Sequence, residues 1–323
     1  MKFHALRTSI LAALIAMCVP AVAQTSPLEL HRTEPASFHF VVYGDTRFTS
    51  PADTEAANPA VRQALVKAIA AAKPEFICFG GDIVYNGNKT EDWKVYDSET
   101  SVWREQKIAV YPALGNHDLH GDLKTALGNY FARYPELREN RYYAVDLGRA
   151  RLIVLDSSLD EVSGPQGTWI KDQLDHLDPR VEFVAFLMHH PPYTSSSDAK
   201  TFGGGHSARA SEQAFAKMLE GRQPHSHAKF LVFGGHVHNY ERHEHGGVTY
   251  FVTGGGGAHA YPIERAADDP YQSKEVNYHF LLVSVSDNKM DITMHRLQLE
   301  GGKETWSEPD RVTLTPVATV SAR

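Results

Sequence analysis

Five short apolar runs in this chain each end at once in a polar cluster, and that repeated junction constrains the fold more than any other feature. Phe38–Tyr43 runs into Gly44-Asp45, and Phe76–Phe79 into Gly80-Gly81-Asp82. Residues 108–111 lead toward Gly115-Asn116-His117-Asp118, residues 181–188 into His189-His190, and residues 230–233 into Gly234-Gly235-His236. Runs of about 4–8 residues rich in Val, Ile and Phe read as buried strands. Between them, Val61, Leu65, Ile69 and Ala72 recur at helical spacing ahead of Pro74. Trp169, Ile170, Leu174 and Leu177 mark a second helix, and Phe215, Met218 and Leu219 a third. Strands alternating with helices predict an α/β protein. In such folds the loops at strand C-terminal ends gather into one crevice, and all five clusters sit at such ends.

The later sequence is less regular. Residues 142–147 and 152–155 predict a hairpin across Gly148-Arg149. Residues 249–252, 280–285 and 290–297 alternate apolar with polar side chains, as half-exposed antiparallel strands do, and are expected to complete a second sheet. Gly254 to Gly257 is followed by neither a helical pattern nor a lysine in the phosphate-loop position, so it reads as a turn near the site. The polar stretches around residues 86–104 and 195–210 are expected to be mobile loops that shape substrate choice.

The N-terminus has the pattern of an export signal. Lys2 and Arg7 precede an apolar stretch from Ile10 to Val19, and Pro20 precedes Ala21-Val22-Ala23, so cleavage would leave residues 24–323 as one domain. The stretch is too short to cross roughly 30 Å of hydrocarbon as a helix, which argues against a stable membrane anchor and for a periplasmic or secreted product. Its removal takes two basic residues and no acidic ones from a chain whose net charge is already −7. Such a balance argues against nucleic acid as the main partner, because no basic excess is available to displace counterions. A small phosphate ester is still admissible, since bound metal supplies its own positive charge. Cys18 leaves with the signal, so Cys78 has no partner for an intrachain disulfide.

Asp45, Asp82, Asn116, His117, His189, His236 and His238 together offer oxygen donors and imidazoles, which suits Fe, Mn or Zn. His236 and His238, two apart on what reads as an extended segment, would project both rings from one face and serve one ion each. A carboxylate such as Asp82 can bridge two ions roughly 3.5–4 Å apart, the spacing of in-line phosphoryl displacement.

Taken in order, Gly44-Asp45, Gly81-Asp82, Gly115-Asn116-His117-Asp118, His189 and Gly235-His236-Val237-His238 resemble the five motifs of calcineurin-like metallophosphoesterases. The resemblance implies two mixed β-sheets packed as a sandwich and flanked by helices. It also implies a dinuclear site: Asp82 bridges, Asn116, His189 and His236 complete one metal, and Asp45 and His238 serve the other. Where the usual first motif has a histidine, this chain has Arg47, which cannot ligate a metal. Tyr85, three residues after Asp82, is similar to the tyrosinate of purple acid phosphatases, and residues 235–242 resemble that branch too. The branch implies Fe(III) beside a divalent ion (Fe, Zn or Mn), with Mn/Mn or Zn/Zn pairs as alternatives.

The expected chemistry is hydrolysis of phosphate esters by a metal-bridging hydroxide in line with the leaving group. His117 is the expected general acid, and Asp118 is expected to orient its ring. Arg47 and His206 are candidate contacts to the substrate. An acid-phosphatase-like phosphomonoesterase is the leading reading. The alternatives are a phosphodiesterase acting on nucleotides or lipid head groups, and an inactive relative that binds metal or phosphate. Nothing in these residues sets an oligomeric state.

Overall fold

The computed structural model describes residues 27–196 and 206–317. The export signal expected at residues 1–23 and residues 197–205 of the polar stretch lie outside the described residues. In chain order the strands are β1 (Leu28–His31), β2 (Phe38–Tyr43), β3 (Phe76–Phe79), β4 (Ala109–Pro112), β5 (Tyr143–Asp146), β6 (Ala150–Val154) and β7 (Phe183–Leu187). They continue as β8 (Lys229–Gly234), β9 (Tyr240–His245), β10 (Val248–Thr253), β11 (Tyr278–Ser286), β12 (Lys289–Glu300), β13 (Lys303–Ser307) and β14 (Arg311–Leu314). The helices are α1 (Pro59–Ala72), α2 (Thr90–Glu99), α3 (Ser101–Glu105), α4 (Leu123–Arg133), α5 (Gly164–Asp175) and α6 (Ala210–Arg222).

Two mixed sheets result. One runs β1-β5-β6-β7-β8-β10-β9, and the other β13-β12-β11-β2-β3-β4, with β14 also paired to β12. Strand alternation explains how the sheets are buried. Leu152, Val154, Ala185, Leu187, Leu231 and Phe233 of the first sheet join Phe40, Val42 and Phe79 of the second in one core. Their neighbours Ile153, Val184, Phe186, Phe230 and Val232 point the other way, onto Trp169 and Ile170 of α5 and Phe215 and Leu219 of α6. Strands covered on both faces are therefore apolar along their whole length, which is why β6 to β8 read as continuous runs. Helix α1 begins where Asn58 accepts a hydrogen bond from Val61 N at 3.2 Å and Pro59 takes the first position. It ends at Lys73, whose left-handed backbone (φ 50°) precedes Pro74.

Two expectations need correction. The C-terminal strands do not belong to one sheet. β11 and β12 form the expected antiparallel pair, and β11 joins the second sheet through β2. β10, however, lies in the first sheet, parallel to β8, and is buried throughout. Its polar residues are inside because they have partners there, as Thr253 does with His279 at 3.1 Å. Residues 86–104 are likewise not a mobile loop. They carry α2 and part of α3, anchored by fully buried Trp93 and Trp103, and the Trp93 indole donates to the Gly87 carbonyl at 2.8 Å. Among the described residues no helix is long and apolar enough to cross a membrane.

Candidate metal centre

The loops after β2, β3, β4, β7 and β8 meet at one end of the sandwich, bringing together every donor read from the sequence there. Backbone amides fasten them: Asp45 N–H donates to the Gly81 carbonyl at 3.0 Å and Gly235 N–H to the His189 carbonyl at 2.8 Å. Glycine is required where loops touch. A β-carbon on Gly115 would lie 2.2 Å from Asp82 N, and one on Gly235 would lie 2.5 Å from Asp45 Oδ2. Asp45, Arg47, Asp82 and His236 adopt positive φ of 59°, 48°, 50° and 68°. Each such residue costs on the order of 1–3 kcal/mol and persists only where its surroundings hold it. The left-handed turn at His236 also corrects the expected extended segment there. Residues 235–239 form a bend, not a strand.

The donors gather around two buried imidazoles, His189 and His238. In the first, His189 Nδ1 donates to the Gly80 carbonyl at 3.0 Å, which leaves Nε2 as a bare acceptor. That Nε2 lies 3.0 Å from Asn116 Oδ1, 3.2 Å from His236 Nδ1 and 3.4 Å from Asp82 Oδ1. In the second, His238 Nδ1 donates to the His259 carbonyl at 2.9 Å. Its Nε2 is buried without a hydrogen-bond partner among the described residues, 3.7 Å from Asp45 Oδ1. Ligating atoms of Asp45, Asp82 and His189 all lie within 4.8 Å of one another, as do those of His189, His190 and His236. Fixed imidazole acceptors converging on carboxylate and amide oxygens fit first-row transition ions.

Burial governs the protonation states. It raises the Asp45 carboxyl well above the usual range, helped by neighbouring Asp82. Burial acts on Asp82 as well, but His189, His117 and Arg47 outweigh it and hold Asp82 below that range. The imidazoles of His189 and His238 are pushed down by burial and stay neutral, as ligands must. His117 is lowered to about 4, chiefly by burial, with Asp82 opposing.

The remaining predicted residues are placed unevenly. His117 Nδ1 donates to the Tyr85 carbonyl at 2.7 Å, while the Tyr85 ring lies 5.3 Å from the imidazole. No hydrogen bond joins the Tyr85 hydroxyl to Asp45, Asp82 or His238 among the described residues. Asp118 does not orient His117. Its buried carboxylate accepts from Gly115 N at 2.9 Å, Ile83 N at 2.9 Å and Val84 N at 3.2 Å, tying two ligand loops together. Arg47 pairs with Asp82 Oδ2 at 3.3 Å. His206 reaches the centre, its ring 4.9 Å from that of His236 and 5.9 Å from that of His238.

Three residues were not foreseen. The His190 ring lies tilted 4.4 Å from that of His236 while its Nδ1 meets Ser157 Oγ at 2.8 Å, and its position beside His189 was the available clue. His120 lies 4.2 Å from the His117 ring. Tyr261, whose hydroxyl accepts from His238 N–H at 3.2 Å, has no sequence signal at all.

Residues 38–240 match the family model of calcineurin-like phosphoesterases. The phosphoenolpyruvate phosphatase of Allium cepa is 27% identical over 217 residues, covering 59% of this chain and 40% of that protein. Purple acid phosphatase 15 of Arabidopsis thaliana is 29% identical over 241 residues, covering 62% and 43%. A probable glycerophosphodiester phosphodiesterase, GpdQ, of Arcobacter nitrofigilis is 28% identical over 164 residues, covering 47% and 56%. The chain thus spans less than half the length of these plant relatives. Among solved structures, the purple acid phosphatase of yellow lupin (Lupinus luteus) seeds superposes with a TM-score of 0.63 at 16% identity, over 87% of this chain and 54% of that one.

Proposed function

The chain belongs to the calcineurin-like phosphoesterase family, and we propose that it is an exported dinuclear hydrolase of small phosphate monoesters. The observation that carries this reading is the convergence of donor atoms in two adjoining groups, Asp45 with Asp82 and His189, and His189 with His190 and His236. Asn116, His189 and His236 would hold one ion with Asp82, and Asp45 and His238 the other. Fe(III) beside Fe, Zn or Mn is the favoured pair, supported by Tyr85 and by the purple acid phosphatase relatives. Bound there, the ions would supply Lewis-acid stabilisation of phosphoryl charge and a nucleophile from water at neutral pH.

The chain's own residues do the rest. His117, fixed through Nδ1 on the Tyr85 carbonyl, keeps Nε2 for exchanging a proton with the leaving oxygen. Arg47 and His206 flank the centre and are suited to phosphoryl oxygens. Asp118 contributes by holding the loops of Asp82 and Asn116 in register, in place of the catalytic role expected of it. The diesterase reading draws support from the resemblance to the glycerophosphodiester phosphodiesterase.

A panel of monoesters and diesters, run with His117→Ala beside the wild type, tests the proposal. The wild type should turn over monoesters faster than diesters. The variant should keep its metal and lose about 10²–10⁴-fold in kcat, least for nitrophenyl esters, whose leaving group needs little protonation. An equal loss for good and poor leaving groups rejects the general-acid role, and faster diester turnover moves the assignment to phosphodiesterase.

A further inference from the structure

We propose that Arg47 is a built-in competitor for the second metal position: its guanidinium occupies one oxygen of Asp82, Oδ2, so one ion binds tightly and the next markedly more weakly. The inference rests on the two-ion reading above and deepens it.

Asp82 divides its two oxygens between different neighbours. Oδ1 accepts from His117 N–H at 2.8 Å and faces His189 Nε2 at 3.4 Å. Oδ2 takes the guanidinium, with Nη2 at 3.3 Å and Nε at 3.4 Å. The charge of Arg47 bears also on Asp45 and His238, the other members of the second cluster, and on His189 of the first. Among the described residues, Asp82 Oδ1, Asn116 and His189 have no ion pair or hydrogen bond with a lysine or arginine. The direct contact therefore falls on Oδ2 alone, although the charge is felt more widely.

The placement of Arg47 is built into the backbone. With φ at 48° the residue sits in the left-handed region, and both its peptide groups are pinned. Its N–H donates to the Asp82 carbonyl at 3.0 Å, and its carbonyl accepts from Arg62 Nη1 at 3.2 Å. Arg62 is itself fully buried and is clamped by Glu99 at 2.8 and 3.2 Å. The side chain thus leaves a fixed Cα toward a fully buried carboxylate and is only 16% exposed itself. An ion at Asp82 Oδ2 and the guanidinium are like charges competing for one acceptor, and in a buried setting such a contact is costly to break.

Metal-stripped mature protein titrated with Mn(II) by calorimetry, with bound metal counted after equilibrium dialysis, tests this. The wild type should take one ion tightly and a second at least about tenfold more weakly. Arg47→Ala, and Arg47→Gln with a side chain of intermediate length and no charge, should bring the second ion to within about threefold of the first. Circular dichroism and Tm of the stripped variants check that the fold is intact. Two wild-type ions of equal affinity, or variants indistinguishable from wild type, overturn the role of Arg47 and leave the two-ion centre standing. Failure of every protein to take up a second ion at saturating Mn(II) overturns the two-ion reading together with the inference.

Discussion

The two ligand sets proposed for the metals would share Asp82 and otherwise differ in what stands behind and in front of them. The first draws Asn116, His189 and His236 from loops after β4, β7 and β8, and its donors are neutral groups. The second pairs Asp45 with His238 and faces Arg47, His206 and Tyr261. Imidazole rings crowd the first cluster, with His190 and His206 against His236, whereas the guanidinium of Arg47 meets the carboxylate beside the second. A shared carboxylate can thus serve one position built to retain an ion and another built to meet a substrate.

The strongest way to break this comparison is to remove one imidazole from each side. His189→Ala should abolish tight metal uptake and lower kcat on the order of 10³-fold. His238→Ala should keep one tightly held ion per chain while losing the second. Metal counts after dialysis decide between them, and equal losses in the two variants would show that the clusters do not differ as described.

Tyr85 sharpens the contrast. If it joins the second cluster, an Fe(III)-loaded protein should absorb in the visible through phenolate-to-iron charge transfer. Tyr85→Phe should then bleach the band and weaken the second ion about tenfold, sparing the first. A spectrum and metal content unchanged by the substitution would leave Tyr85 as a ring neighbour of His117 alone.

The effect most remote from the ions concerns the floor of the second cluster. Gly254 to Gly257 passes beneath Asp45, with Gly256 N–H donating to the Gly44 carbonyl at 2.9 Å. Under Gly255 lies fully buried His279, lowered to about 4 by burial and held by the Asn277 carbonyl at 2.9 Å. An unfolded chain protonates this histidine near pH 6.5, the folded one only near 4, so the unfolded state binds the extra proton between those values. Stability attributable to His279 is therefore complete above about pH 6.5, falls as the pH drops toward 4, and levels off below, a loss of about 3 kcal/mol. Urea unfolding across that range, compared with His279→Gln, should show a shallower slope for the variant. Identical slopes would remove His279 from the account.

Much of this was legible in the sequence because strand ends and donors coincide. β2 and β3 were read to the residue, since Gly44 and Gly80 cut off fully buried apolar runs. β10 was misread because Thr249 and Thr253 mimic an exposed face, although hydrogen bonds such as that to His279 let them be buried. Trp93, Tyr96 and Trp103 carried a helical spacing that the turn residues Asn86-Gly87-Asn88 obscured. In the site, donor identities follow from residue type, but direction does not. Asp118 adjoins His117 in sequence, yet it turns toward three backbone amides. Arg47 meets Asp82 only because its backbone takes a conformation that residue type does not announce.

The amide ties between the ligand loops bear on how such a protein matures. Asp118 fastens the loops of Asp82 and Asn116 with no ion as intermediary. Small metal-nucleated domains stay unfolded until their ion arrives. Ties of this kind need no ion, so the loops of this protein are expected to hold their register before metal is taken up. A chelator should then strip the centre and leave a folded, rechargeable shell, and the metals recovered from cells should track their surroundings as much as the ligand set.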